Sequence, residues 1–124
     1  MKHKFLILIL IGLLCFYGCN NKPKGIDNLS NASSICVKNR GTDLEVSLND
    51  TDKNYVISIW KNADWQKDTT KTDCPYCFIV DDTTKFYYSS EVGLFMDKEN
   101  NLHFFVSKEQ KTILDSIITD IITA

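Results

Sequence analysis

The sequence predicts an α+β fold in which a small antiparallel β-meander is packed by one C-terminal amphipathic helix. Short segments of alternating polar and apolar residues recur along the middle of the chain, separated by turns rich in Asp, Asn and Thr. Near the C-terminus the apolar residues instead recur every three to four positions, which indicates a helix with one apolar face. Strands followed by one helix are typical of α+β domains.

Alternating polarity in the first two segments, β-branched and aromatic runs in the later ones, and turn residues between them predict the strands. They are residues 34–38, 43–48, 55–60, 76–80, 85–89, 92–96 and 102–106. Residues 55–60 (YVISIW) are predicted as a strand because β-branched and aromatic residues favour strands, and residues 49–54 before them as a turn.

The predicted helix begins with a capping box, in which Ser107 is the N-cap and the Gln110 side chain reaches back to it. Its apolar face consists of Ile113, Leu114, Ile117, Ile118, Ile121 and Ile122. Because this face is wholly apolar, we expect the helix to lie across the sheet.

Residues 1–18 have the pattern of a secretory signal peptide. Two lysines within the first four residues precede an apolar run over residues 5–17. This run is too short to span a bilayer, which takes about 20 apolar residues. It leads into FYGC at residues 16–19, and this stretch resembles the lipobox of bacterial lipoprotein precursors.

The resemblance implies that Cys19 becomes the lipidated first residue of the mature protein. In that family the cysteine carries a diacylglycerol and an acyl chain of the palmitate type, and more than one buried chain gives stable anchoring. Asn20 stands where an Asp would mark inner-membrane retention, so the resemblance favours the outer membrane of the cell envelope, facing the periplasm. Residues 19–33 are predicted to be a polar tether and residues 34–124 a single domain.

The charge balance argues against nucleic acid as a partner. The predicted signal peptide holds two of the chain's 14 basic side chains and none of its 16 acidic ones, so the mature chain is more acidic than the whole, whose net charge is −2. Binding a phosphate backbone takes clustered Lys and Arg. We expect instead a protein partner, and the acidity suggests a basic one.

Residues 74–77 read CPYC, which is the active-site motif of glutaredoxins. That chemistry needs the first cysteine at a helix N-terminus, where the helix dipole lowers the pKa of the thiol. Here a β-branched run, Phe78-Ile79-Val80, follows the motif and predicts a strand. The resemblance is therefore limited to four residues, and we do not expect an enzyme.

Besides Cys19, which precedes the domain, three cysteines belong to the predicted domain: Cys36, Cys74 and Cys77. An oxidising envelope favours disulfides, and Cys74–Cys77 is the predicted pair because Pro75 bends the short turn between them. Cys36 paired with either of the others is the alternative. A structural zinc site of the three cysteines with His103 is a further alternative, since three sulfurs and one nitrogen form a known ligand set. Thiol redox or zinc chemistry through Cys74 and Cys77 is thus the alternative function, and no cofactor is predicted.

The domain is rich in aromatic residues for so small a sheet. In FYY at residues 86–88 and FF at 104–105, adjacent side chains point to opposite faces of a strand. Either the loop over residues 61–73 covers some of them, or they form an exposed patch of the kind found at interfaces. We expect a non-enzymatic, lipid-anchored envelope protein that binds another protein, as an inhibitor or an immunity protein against a toxin or hydrolase does.

Overall fold

The computed structural model describes residues 22–32 and 34–122 of the 124-residue chain. The predicted signal peptide, the predicted lipidation site Cys19 and the first part of the tether lie outside these residues. The described residues form a mixed α+β fold, with one seven-stranded antiparallel sheet and short helices. Within this part of the chain, none of the helices is long and apolar enough to cross a membrane.

The sheet has the order β2-β1-β4-β5-β6-β7-β3, and each neighbouring pair is antiparallel. The strands are β1 (Ile35–Asn39), β2 (Glu45–Ser47), β3 (Gln66–Lys67), β4 (Tyr76–Val80), β5 (Thr84–Ser89), β6 (Leu94–Asp97) and β7 (Leu102–Phe105). The helices are α1 (Asp50–Asn62), α2 (Lys108–Ile117) and α3 (Thr119–Ile122), and a 3₁₀ helix covers Ile26–Asn31. From β4 to β7 each strand pairs with the next one in the chain, so the predicted meander is confirmed.

Helix α1 carries the chain from one edge of the sheet to the other. It connects β2 with β3, the two outermost strands. These lie six strand spacings apart, roughly 29 Å at about 4.8 Å per spacing. A helix of 13 residues is about 20 Å long, so α1 can cover most of this width. Its buried residues Val56, Ile57, Ile59 and Trp60 belong to the core on that face of the sheet.

The predicted turn at residues 49–54 and the predicted strand at residues 55–60 are wrong, because both segments contribute to α1. The Asn49 side chain caps this helix by accepting a hydrogen bond from the Asp52 backbone N–H at 2.8 Å. Asp50 and Asp52 lie in the first turn, where the helix dipole favours negative charge. Burying one helical face against the sheet outweighs the strand preference of Val and Ile, since propensity is a weak bias.

The folded domain begins earlier than predicted. Ile26, Leu29 and Ala32, all within the predicted tether of residues 19–33, are buried in the main core. Their spacing of three matches the three residues per turn of the 3₁₀ helix that holds the first two. Most of the described part of the tether is therefore packed against the domain.

The C-terminal capping box is confirmed, but the single helix behind it is not. Ser107 Oγ accepts a hydrogen bond from the Gln110 N–H at 3.1 Å, and the Gln110 side chain accepts one from the Ser107 N–H at 2.9 Å. Helix α2 then ends and the short α3 follows, so the helical segment is broken at Ile118. Leu114, Ile118 and Ile121 are nevertheless buried in the core.

Aromatic residues fill the core between the sheet and the helices. Trp60 of α1 lies with its ring centroid 4.3 Å from that of Phe86. Trp65, from the loop after α1, packs edge-on against Phe104, and its Nε1 donates to the Trp60 carbonyl at 2.9 Å. Helix α1 and Trp65 thus cover most of the rings, in place of an exposed aromatic patch, although Phe105 is 60% exposed.

Candidate functional site

The sheet has a core face, which packs against the helices, and an outer face. Val37, Phe78 and Phe86 belong to the core and are aligned across β1, β4 and β5. Their neighbours along each strand point the other way, because side chains alternate. The outer face of these three strands therefore carries Cys36 and Lys38, Cys77 and Ile79, and Lys85 and Tyr87.

The loop between β3 and β4 covers part of the outer face. Cys74, in this loop, is buried in a small cluster with Leu94 and Met96 of β6. Thr70 Oγ1, from the same loop, lies 3.8 Å from the Met96 sulfur. The loop thus covers the outer side of β6, whereas Lys38 and Ile79 are partly exposed and Lys85 is exposed. We call the outer side of β1, β4 and β5 the open patch.

A cavity of about 270 Å³ lies on the open patch. Three basic side chains, Lys38, Arg40 and Lys85, line it together with the single carboxylate of Asp43. The rest of the lining is less polar and consists of Cys77, Ile79 and Tyr87. We call this the cationic cavity, because its lining has a surplus of positive charge although the whole chain is acidic.

The register of three strands assembles the cavity. Lys38 of β1 lies opposite Cys77 of β4, which lies opposite Tyr87 of β5. In the adjacent row, Ile79 of β4 lies opposite Lys85 of β5. Because β4 is inserted between β1 and β5, two lysines that are distant in the sequence line one cavity. Cys77 is a candidate from the sequence alone, but the basic residues are not, since strand alternation predicts their side of the sheet and not their neighbours.

Two contacts hold Arg40 in place. Its Nη1 donates to the Cys74 carbonyl at 3.2 Å, and its Cζ lies 5.1 Å from the ring centroid of Tyr87. The Lys98 Nζ also contacts this ring, at 4.3 Å from the centroid. Such cation–π contacts contribute about 0.5–1 kcal/mol each at exposed sites. The guanidinium has five N–H groups, so it can hold these positions and still donate to a ligand.

The charges around the cavity affect the pKa of the Cys77 thiol. Burial raises the pKa of this thiol, while the positive charges of Lys85, Arg40, Lys98 and Lys38 act to lower it. The effect of burial is the larger, so the thiol stays neutral at physiological pH. The four cations nevertheless create a positive potential that would attract an anion from solvent.

The cysteines of the CPYC motif lack the environment of a redox-active pair. Burial raises the pKa of the Cys74 thiol to about 11, the reverse of what nucleophilic catalysis needs. The motif leads into strand β4 instead of a helix, as predicted. Cys36, Cys74 and Cys77 are free thiols in the structure. The Cys74–Cys77 disulfide stays a prediction.

The structure does not bring the alternative zinc ligands together. His103 lies on β7, three strand spacings from Cys77 on β4, which is roughly 14 Å. Zinc bonds to nitrogen and sulfur are only about 2.0–2.3 Å long. The His103 Nδ1 instead forms a hydrogen bond with the Asp68 carbonyl. Among the residues that the structure describes, no cluster of His, Cys, Asp and Glu is suited to a metal ion.

Another cavity, of about 340 Å³, lies beside the start of the described chain. Lys22 and Lys24 line it together with Lys67 of β3 and the carboxylate of Asp68. The first two lysines follow the predicted lipidation site Cys19 by three and five residues. This cavity is thus lined by residues that lie close in sequence to the predicted anchor.

Models of protein families, curated proteins and solved structures give no match to this chain. The function proposed below therefore rests on the residues of the chain itself.

Proposed function

We propose that the chain is a lipid-anchored bacterial envelope protein whose domain binds a protein partner through the open patch, without catalysis. The cationic cavity is the observation that carries this proposal. It collects three basic side chains on the outer face of a sheet in a chain of negative net charge. Arginine and tyrosine, which are enriched where proteins bind one another, contact each other beside it as Arg40 and Tyr87.

The local charge reverses the kind of partner expected from the net charge. Salt screens charges beyond about 8 Å at physiological ionic strength. A partner at the open patch is therefore affected mainly by the three cations of the cavity, against the two carboxylates of Asp43 and of Glu45, which lies opposite Lys38 on β2. Complementary charge speeds association and fixes the orientation of a complex. We therefore infer that the partner has an acidic contact surface, as an inhibited toxin or hydrolase could offer.

An anchor at Cys19 would keep the domain close to the outer membrane, on its periplasmic side. The 3₁₀ helix begins at Ile26, so at most about 25 Å of extended chain separates the anchor from the domain. Lys22 and Lys24 lie within this short segment. Basic residues near an anionic bilayer surface contribute about 1 kcal/mol each, which supports a membrane-facing orientation of this end.

Anchoring predicts the intact mass of the protein extracted from bacterial membranes. We expect the loss of residues 1–18 and the addition of diacylglycerol and one acyl chain, and we expect Cys19→Ala to lack both lipids. Alkylation of the denatured but unreduced protein modifies three thiols if Cys36, Cys74 and Cys77 are all free, and one if any two are paired; peptide mapping should place the single label on Cys36 if Cys74 and Cys77 form the pair. A native chain that retains residues 1–18 would contradict the anchor, and three modified thiols would contradict the disulfide.

The binding proposal predicts crosslinks from one side of the domain. Ser47 is exposed on the outer side of β2, and Ser58 is exposed on α1, on the opposite side of the sheet. A photo-crosslinking residue at position 47 of the full chain in living bacteria should give a protein adduct of defined mass. The same residue at position 58 is the matched control and should give none. Identical adducts from both positions, or none from position 47, would count against the open patch as the binding surface.

A further inference from the structure

We propose that the cationic cavity is a carboxylate-binding site that receives an Asp or Glu side chain from an acidic segment of the partner. This inference rests on the proposed function, because the partner supplies the carboxylate. The cavity, of about 270 Å³, is large enough to receive one acidic side chain.

The chemistry of the lining suits a carboxylate with an apolar stem. A guanidinium such as that of Arg40 can donate two parallel N–H bonds to the two oxygens of a carboxylate. Lys38 and Lys85 add two point charges to the lining of the same cavity. Ile79 and the ring of Tyr87 offer apolar surface to the methylene groups of an acidic side chain.

The backbone around the cavity argues against a phosphate as the natural ligand. Protein sites for phosphate commonly use free backbone N–H groups at helix N-termini or in turns. β1, β4 and β5 are each paired with a strand on both sides, so their backbone N–H groups are directed into the sheet. In the turn after β1, the N–H groups of Arg40 and Asp43 donate to the carbonyls of Pro75 and Asn39. The donors of this cavity are therefore side-chain tips, which can match a flat carboxylate.

Asp43 shows how a carboxylate fits here. Its Oδ1 lies 3.4 Å from the Lys38 Nζ, and the Asp43 side chain is 81% exposed. An ion pair so open to solvent contributes little to stability. A carboxylate of the partner, placed deeper among the three cations, can therefore replace Asp43 at Lys38 with little loss.

The test measures binding of a fluorescent acidic peptide to the lipidated protein in a nonionic detergent, by fluorescence anisotropy. The peptide is acetylated and amidated and carries two Glu flanked by Leu, and its control has Gln in place of Glu. We expect the Glu peptide to bind in preference to the Gln peptide. Lys85→Gln should raise its Kd about three- to tenfold, since a charge-assisted bond is lost. Lys108→Gln removes the same charge from the exposed start of α2 and should leave the Kd unchanged.

Three results would overturn the inference. Equal binding of the Glu and Gln peptides up to millimolar concentration would show that the cavity does not recognise carboxylates. Equal effects of Lys85→Gln and Lys108→Gln would show that net charge, not the cavity, governs binding. Displacement of the peptide by inorganic phosphate or by free succinate as effectively as by unlabelled peptide would assign the cavity to a small anion.

Failure of this inference can be told apart from failure of the proposed function. If the crosslink from position 47 persists in Lys85→Gln, and the Glu peptide does not bind, the partner docks on the open patch without using the cavity. If the Glu peptide binds through Lys85 but no partner is crosslinked, the cavity recognises carboxylates and the protein-binding function is wrong.

Discussion

Replacement of Trp60 by alanine is expected to lower the free energy of unfolding by about 3–5 kcal/mol. The Trp60 side chain is fully buried, and its ring lies against those of Phe78, Phe86 and Phe95. Alanine would leave a cavity at the point where α1 meets the centre of the sheet. Domains of this size have a free energy of unfolding of about 5–15 kcal/mol, so this substitution would remove a large share of it. Urea unfolding, monitored by circular dichroism, measures this free energy without relying on tryptophan fluorescence.

A pair of conservative changes tests the physical reason. Trp60 and Trp65 are both buried, but the Trp65 Nε1 donates to the Trp60 carbonyl, whereas the Trp60 Nε1 has no partner among the described residues. Trp60→Phe removes an unpaired buried donor, which offsets part of the lost packing. Trp65→Phe leaves a carbonyl unpaired and should cost more. If Trp60→Phe proves the more destabilising of the two, packing alone governs both sites.

Most of the sheet could be predicted from the sequence, because the local signals agree with one another there. Residues 76–80 form a run of apolar and aromatic residues, and residues 84–89 follow them after an Asp81-Asp82 turn. Both aspartates have positive φ, 49° and 62°, a conformation that Asp adopts more readily than most residues and that tight hairpins require. The strand propensity of these residues and the chemistry of the turn thus both indicate a hairpin.

Helix α1 could not be predicted from its apolar residues alone, because YVISIW satisfies a strand as well as a helix. The deciding signal lay before it, in the cap formed by Asn49 and the acidic first turn. The 3₁₀ helix was missed for a different reason. Its two buried residues, Ile26 and Leu29, are isolated in a polar stretch, and the core that covers them is formed by distant parts of the chain.

The cationic cavity was the least predictable feature. Lys38 and Lys85 belong to strands that are distant in sequence, and which strands become neighbours is decided by the path of the whole chain. The net charge of the chain gives no indication of this cavity, because a sum over 14 basic and 16 acidic residues does not reveal where the basic ones collect. The predicted partner charge consequently differs from the one that the open patch favours.

Asp115 joins helix α2 to the sheet. Its Oδ1 accepts hydrogen bonds from the hydroxyls of Tyr88 and Ser90, at 3.1 Å and 2.8 Å, and its Oδ2 lies 2.8 Å from the Lys111 Nζ. Tyr88 is fully buried. Burial, followed by the negative charge of Asp115 and the hydrogen bond to it, raises the pKa of Tyr88. The phenol therefore remains a neutral donor that needs the carboxylate as its acceptor.

We expect Asp115→Ala to lower the free energy of unfolding by about 2–3 kcal/mol, measured by urea unfolding, because a buried hydroxyl loses a charged acceptor. The ion pair with Lys111 is partly exposed and contributes little of this. In a Tyr88→Phe background the same change should cost at least about 1 kcal/mol less, since no buried donor is left unpaired. Equal costs in the two backgrounds would mean that Asp115 stabilises the fold through Ser90 or Lys111, and that the buried phenol does not depend on it.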